Sequence, residues 1–186
     1  SYIEYAQATK DKKNPVSYSI ENGTLTLKEA GNTGASYYIN VDISFLQAAL
    51  SSKNIEDYTK ESSKYENYVT LYLPKDKLVS SAKIYLGYGD FYVKNATFDT
   101  TNIKLDDGDF DANTLTANSG KLTFSYGDCD LQKASLGNIS LTSKDGDLTV
   151  NELTLSGKTK IALSYGDAEI TLNDSTKKVS GFDLAT

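Results

Sequence analysis

Gly-Asp pairs recur at Gly89-Asp90, Gly108-Asp109, Gly127-Asp128, Gly146-Asp147 and Gly166-Asp167, so the glycines stand 19, 19, 19 and 20 residues apart. Repetition this regular marks stacked supersecondary units, each too small to bury its own apolar face. Aligned on the glycine, the flanks alternate. Five residues before it stand Ile84, Ile103, Leu122, Leu141 and Ile161, and three before it Leu86, Leu105, Phe124, Ser143 and Leu163. Two after it stand Phe91, Phe110, Cys129, Leu148 and Ala168, and four after it Val93, Ala112, Leu131, Val150 and Ile170. Apolar residues at every second position, with Lys, Thr, Asp and Asn between them, predict strands buried on one face.

Two such strands flank each Gly-Asp turn, and a second turn near Asn95, Asn113, Lys133 and Asn151 closes the unit. Glycine supplies the positive φ of a tight turn, and aspartate accepts a hydrogen bond from nearby backbone N–H groups. The expected fold is all-β: a β-solenoid (β-helix) of about five short coils over residues 84–172, roughly 19 residues each. The residue before each pair alternates between Tyr88, Asp107, Tyr126, Asp145 and Tyr165. A 19-residue coil stacks these in one alternating column, whereas a 38-residue coil separates tyrosines from aspartates. The shorter coil is favoured, because two short strands and two turns fill it.

Before the repeat, Tyr2–Ala6, Ser17–Ile20, Thr24–Leu27, Tyr37–Ile43 and Tyr68–Leu73 read as strands. Asn22-Gly23 predicts a hairpin turn between the second and third, and Pro74 stops the last. Residues 45–65 break the alternation; Phe45, Leu46, Ala49 and Leu50 share a helical face ahead of a polar run. A short helix or loop insertion is expected there. The whole reads as a single domain, 1–186: N-terminal strands in 1–75 with the insertion 45–65, the repeat in 84–172, and a tail, 173–186. Lys177 and Lys178 in that tail, with Ser175 breaking the apolar pattern, are expected to close the last edge.

LYLPKD at Leu71–Asp76, the run Ile84–Val93 (IYLGYGDFYV) and the Gly-Asp strands after it resemble bacterial adhesin-like domains of unknown function. These are repetitive Gly-Asp β-solenoids related to the head domains of adhesin-like surface proteins. The resemblance covers residues 68–172 well and the N-terminal hairpin loosely. It implies a domain outside the bacterial cytoplasm, at the cell surface or envelope, tethered through an upstream membrane segment. It brings no catalytic residues, and the segment 45–65 departs from its compact pattern.

Composition narrows the chemistry. Histidine is absent, which removes imidazole catalysis and histidine–metal sites. One cysteine, Cys129, makes neither an internal disulfide nor a thiolate zinc site, and it reads as a small buried hydrophobe. All nineteen basic residues are lysine and the net charge is −6, so nucleic acid is not an expected partner. Methionine is absent even from position 1, which leads us to expect a mature form or fragment with any targeting segment upstream.

The remaining candidates are carboxylates and tyrosines. Asp107, Asp109, Asp128 and Asp147 are weak calcium candidates through their hard oxygens, and Asp109, Asp128 and Asp147 are the residues a carbohydrate-cleaving β-helix would use. A catalytic set should interrupt a repeat, whereas these residues constitute it. The expectation is therefore no catalytic residue, no metal and no cofactor. Gly89, Asp90, Gly108, Asp109, Gly127, Asp128, Gly146, Asp147, Gly166 and Asp167 are assigned to structural turns. Tyr88, Tyr126 and Tyr165 are the candidate binding residues, either as an exposed aromatic ladder for a surface protein or glycan or as rings stacked on one another over the turns. The expected protein is a monomeric display module; a self-associating envelope scaffold or sensor is the alternative.

Overall fold

The computed structural model describes residues 2–6, 16–29, 37–42, 57–59, 68–73, 77–174 and 182–185. Six strands precede the repeat: β1 (Tyr2–Ala6), β2 (Val16–Glu21), β3 (Thr24–Glu29), β4 (Tyr37–Asp42), β5 (Asp57–Thr59) and β6 (Tyr68–Tyr72). The repeat holds β7 (Leu78–Leu86), β8 (Phe91–Val93), β9 (Ala96–Leu105), β10 (Phe110–Ala112), β11 (Leu115–Phe124) and β12 (Cys129–Leu131). It continues through β13 (Ala134–Asp145), β14 (Leu148–Leu155), β15 (Thr159–Tyr165) and β16 (Ala168–Leu172), and β17 (Phe182–Ala185) lies in the tail. The predicted short helix falls on residues outside those described; within the same segment, β5 pairs in parallel with β1.

The five-coil solenoid is present, and its coil is the 19-residue one. β7, β9, β11 and β13 stack in parallel, with Ile84 opposite Ile103, Ile103 opposite Leu122 and Leu122 opposite Leu141. The next step is 20 residues, Leu141 to Ile161. On the other side of the turn, β8, β10, β12, β14 and β16 stack in the same order. The columns read from the sequence are the core: Ile103, Leu105, Phe110, Leu122, Leu131 and Leu141 are all fully buried.

Each coil has three sides rather than two. β9 and β11 pair from Phe98–Ala117 directly to Thr100–Ser119, leaving Asp99 and Asn118 at a corner. The Asn118 side-chain amide donates to Asp99 Oδ1 (3.1 Å), and Ser119 Oγ donates to the Asp99 carbonyl (3.0 Å). The corner inverts which residues face inward: Ala96 and Phe98 precede it, Ile103 and Leu105 follow it. A strict alternation would have put even-numbered residues inside throughout.

The N-terminal strands close one edge. β4 lies antiparallel on β7, then β3 on β4 and β2 on β3, through a turn with Asn22 at φ 50° and Gly23 at φ 77°. An antiparallel strand cannot carry the parallel winding further, so the stack stops there. Leu25, Leu27 and Val41 extend the buried core into this region. At the far end, β17 does not fold back as a lid. It lies parallel on β15, with Leu184 opposite Ile161, and adds a further rung. The expected closing role of Lys177 and Lys178 lies outside the described residues.

Candidate functional site

The Gly-Asp turns form one column along an edge of the solenoid. The turn glycine donates its N–H to the next coil: Gly108 to the Tyr126 carbonyl (3.1 Å) and Gly127 to the Asp145 carbonyl (3.1 Å). The aspartate works in the opposite sense. Asp90 Oδ1 accepts from the Asp109 amide (3.0 Å), and Asp109, Asp128 and Asp147 accept likewise from Asp128, Asp147 and Asp167 (2.9 Å each). Each carboxylate therefore satisfies an amide one coil above it.

That bond has a testable size. Asp128→Ala removes the acceptor of the Asp147 amide and is expected to lower stability by about 1 kcal/mol. Asp128→Asn keeps a carbonyl acceptor and sheds repulsion between stacked carboxylates, so its urea midpoint should stay near that of the parent. Equal losses for both variants would assign the role to charge rather than to the hydrogen bond.

The same column carries the candidate tyrosines. Tyr88, Tyr126 and Tyr165 are 76%, 60% and 74% exposed. Because the coil is 19 residues long, Asp107 and Asp145 intervene, and consecutive tyrosines are two rungs apart, about 10 Å. They neither stack on one another nor form a continuous aromatic ladder. The edge instead alternates phenol and carboxylate, both exposed. The calcium candidates Asp107, Asp109, Asp128 and Asp147 lie along this edge as a line. Among the described residues, no three acidic or thiol groups converge as a metal site.

Next to the turns, Asp111 on β10 and Asp130 on β12 are opposite each other. Partial burial, then the charges of Asp130, Asp109 and Asp90, holds the Asp111 carboxyl above the usual carboxylate range. Between these acids but facing inward, Cys129 is fully buried. Burial, with Asp130, Asp111 and Asp128 nearby, pushes its thiol well above the ordinary value, which disfavours the reactive thiolate.

A second group of polar and aromatic side chains lies on the outward face of the β4–β7–β9 sheet. Tyr38 is opposite Tyr85, with ring centroids 5.5 Å apart. Lys83 lies over the Tyr38 ring at 5.6 Å and Lys104 over the Tyr85 ring at 5.0 Å. The Tyr85 hydroxyl donates to Asp106 Oδ2 (2.8 Å), and Lys104 Nζ is 2.7 Å from Asp106 Oδ1. The Lys104 ammonium, helped by the Tyr85 hydroxyl, holds the Asp106 carboxyl below its usual range despite partial burial. In turn, Asp106 raises the pKa of both Lys104 and Tyr85.

Sequence reasoning missed this group. Tyr85 and Lys104 share one column of the repeat, which was legible, but Tyr38 reaches it only through the antiparallel docking of β4.

The family model described as Toastrack DUF4097 matches residues 2–181. No curated protein and no solved structure matches the chain.

Proposed function

This chain belongs to the Toastrack DUF4097 family, a β-solenoid family of unknown function, and on that footing we propose that it is a non-enzymatic, adhesin-like binding module. In this reading it works outside the cytoplasm, as a monomer, and presents a rigid edge to a surface protein or glycan. One observation carries it. The repeated glycines and aspartates are engaged between coils, while the side chains left over at the same edge are tyrosines 60–76% exposed, alternating with the exposed Asp107 and Asp145. Large, stiff, amphipathic rings on an immobile backbone give contact area at low entropic cost.

The test is a glycan array together with capture of labelled protein on bacterial and host-cell surfaces, comparing the parent with the triple variant Tyr88→Ser, Tyr126→Ser, Tyr165→Ser. The variant should lose about tenfold or more in binding with little change in thermal midpoint, since the rings are exposed. Parent-like binding by the variant would remove the edge from consideration.

The scaffold reading has its own observation. β16 pairs only with β14 among the described residues, alternate residues on both of its faces are exposed, and Leu172 is 49% exposed. Such an edge can template a second chain. Light scattering across a wide concentration range separates the two: a constant mass near 20.3 kDa favours the display module, and growth favours the scaffold.

A further inference from the structure

The outward face of the sheet running from β4 to β15 differs in charge from the turn edge. In register along it stand Lys83, Asn102, Lys121, Ser140 and Lys160. The three lysines are exposed, and Lys160, at the end of the column, is opposite Asp183 of β17. They occupy alternate rungs, so their stems start about 10 Å apart along the stack. The adjacent outward column is Tyr85, Lys104, Thr123 and Thr142, and the Tyr38–Tyr85 pair lies at its N-terminal end. The acids Asp90, Asp109, Asp111, Asp128 and Asp130 lie instead at or beside the turn. The solenoid is therefore polarised in cross-section, with a face richer in lysine and hydroxyl groups on one side and an acidic edge on the other, although Asp106 and Asp183 adjoin that face and the chain as a whole carries −6.

We propose that this lysine face binds an anionic glycopolymer, a chain of sugar or polyol units bearing carboxylates or phosphates, laid along the stacking direction. Regularly spaced ammonium groups match a polymer whose charges also recur. The hydroxyl and amide side chains between them offer hydrogen bonds to sugar or polyol oxygens, and the Tyr38–Tyr85 pair carries the Lys83 and Lys104 ammonium groups over its rings. Lysine without arginine suits many adaptable contacts rather than a bidentate clamp on one group. A membrane fits less well, because the exposed leucines Leu78 and Leu172 pair at Thr97 and Leu153, on the neighbouring side of the coil. Nucleic acid fits less well because the neighbouring acidic edge and the net charge repel a dense polyanion.

The proposal rests on the reading of the chain as a binding module but uses a different face from the tyrosine edge. The experiment measures binding of the whole chain to polygalacturonate, to poly(glycerol phosphate), to neutral dextran and to vesicles with and without anionic lipid, at low and at physiological salt. The expected result is binding to one or both anionic polymers, weakening as salt rises, with dextran not bound. Preference for polygalacturonate or for poly(glycerol phosphate) identifies carboxylate or phosphate as the recognised group. The triple variant Lys83→Gln, Lys121→Gln, Lys160→Gln should lose about tenfold or more with an unchanged thermal midpoint, whereas the Tyr88/Tyr126/Tyr165 serine variant should bind the polymer as the parent does.

Absence of polymer binding at low salt overturns the proposal, as does full binding by the lysine variant or stronger binding to anionic vesicles than to either polymer. If the polymers fail while the tyrosine edge still captures a surface ligand, the lysine face falls and the binding-module reading stands.

Discussion

Gly127→Ala is expected to lower stability by about 4 kcal/mol or more, and Gly89→Ala by only about 1–3 kcal/mol. Both glycines hold a φ that L side chains rarely adopt, +108° and +105°. They differ in surroundings. A Cβ on Gly127 would lie 2.5 Å from the Gly108 carbonyl oxygen and 2.9 Å from Asp109 Oδ1, whereas one on Gly89 meets nothing within 4 Å. Gly89 begins the column, so no coil lies beneath its turn, and alanine there is strained only by its dihedral. At Gly127 the neighbouring turn must also move, and with it the Asp109 carboxylate that holds the Asp128 amide. Urea denaturation of the two variants separates dihedral strain from close approach. Equal losses would mean that the stack yields at its turns.

The second large effect belongs to Phe110→Ala, expected to cost about 3–5 kcal/mol. Phe110 is fully buried, with its ring 5.0 Å from Phe124 and 5.6 Å from Phe91. Truncation leaves a cavity in the second coil of the stack and ends both ring contacts, each worth about 0.5–1.5 kcal/mol beyond burial. Phe91→Ala, at the partly buried end of the same trio, should cost clearly less. Because each coil touches only its neighbours, a cavity in the second coil loosens the first coil and the N-terminal strands from the coils that follow. A broadened or two-step denaturation curve is therefore expected for Phe110→Ala and a single transition for Phe91→Ala. The reverse order of losses would mean that the surrounding core collapses onto the Phe110 cavity.

The polar residues of the turn show where reading the chain was sufficient and where it was not. That Asp128 accepts a backbone N–H follows from its place in a Gly-Asp turn. Which N–H it takes did not, because the donor belongs to Asp147, one coil away. Tyr88 and Tyr126 are exposed because they precede the turn glycine. Their separation depends on coil length, and the sequence alone allowed both 19 and 38. The corner at Asp99 was foreshadowed by the change of inward phase between Phe98 and Ile103, a signal that a strict alternation hides. The lysine face was half legible: Lys83, Lys121 and Lys160 repeat in step, but the tyrosine pair at its end needed β4.

By itself, then, the sequence determined the strands, the inward columns, the turn glycines and the near-19-residue period. All of these rest on forces within a few residues: side-chain alternation, the φ of a tight turn and the burial of one face. Tertiary structure decided the three-sided coil, the carboxylate-to-amide ladder, the alternation of tyrosine with aspartate along a single edge, and the meeting of Tyr38 with Tyr85. Each of these depends on register between segments 19 or more residues apart, which is set when neighbouring coils and the antiparallel N-terminal strands share backbone hydrogen bonds and one core.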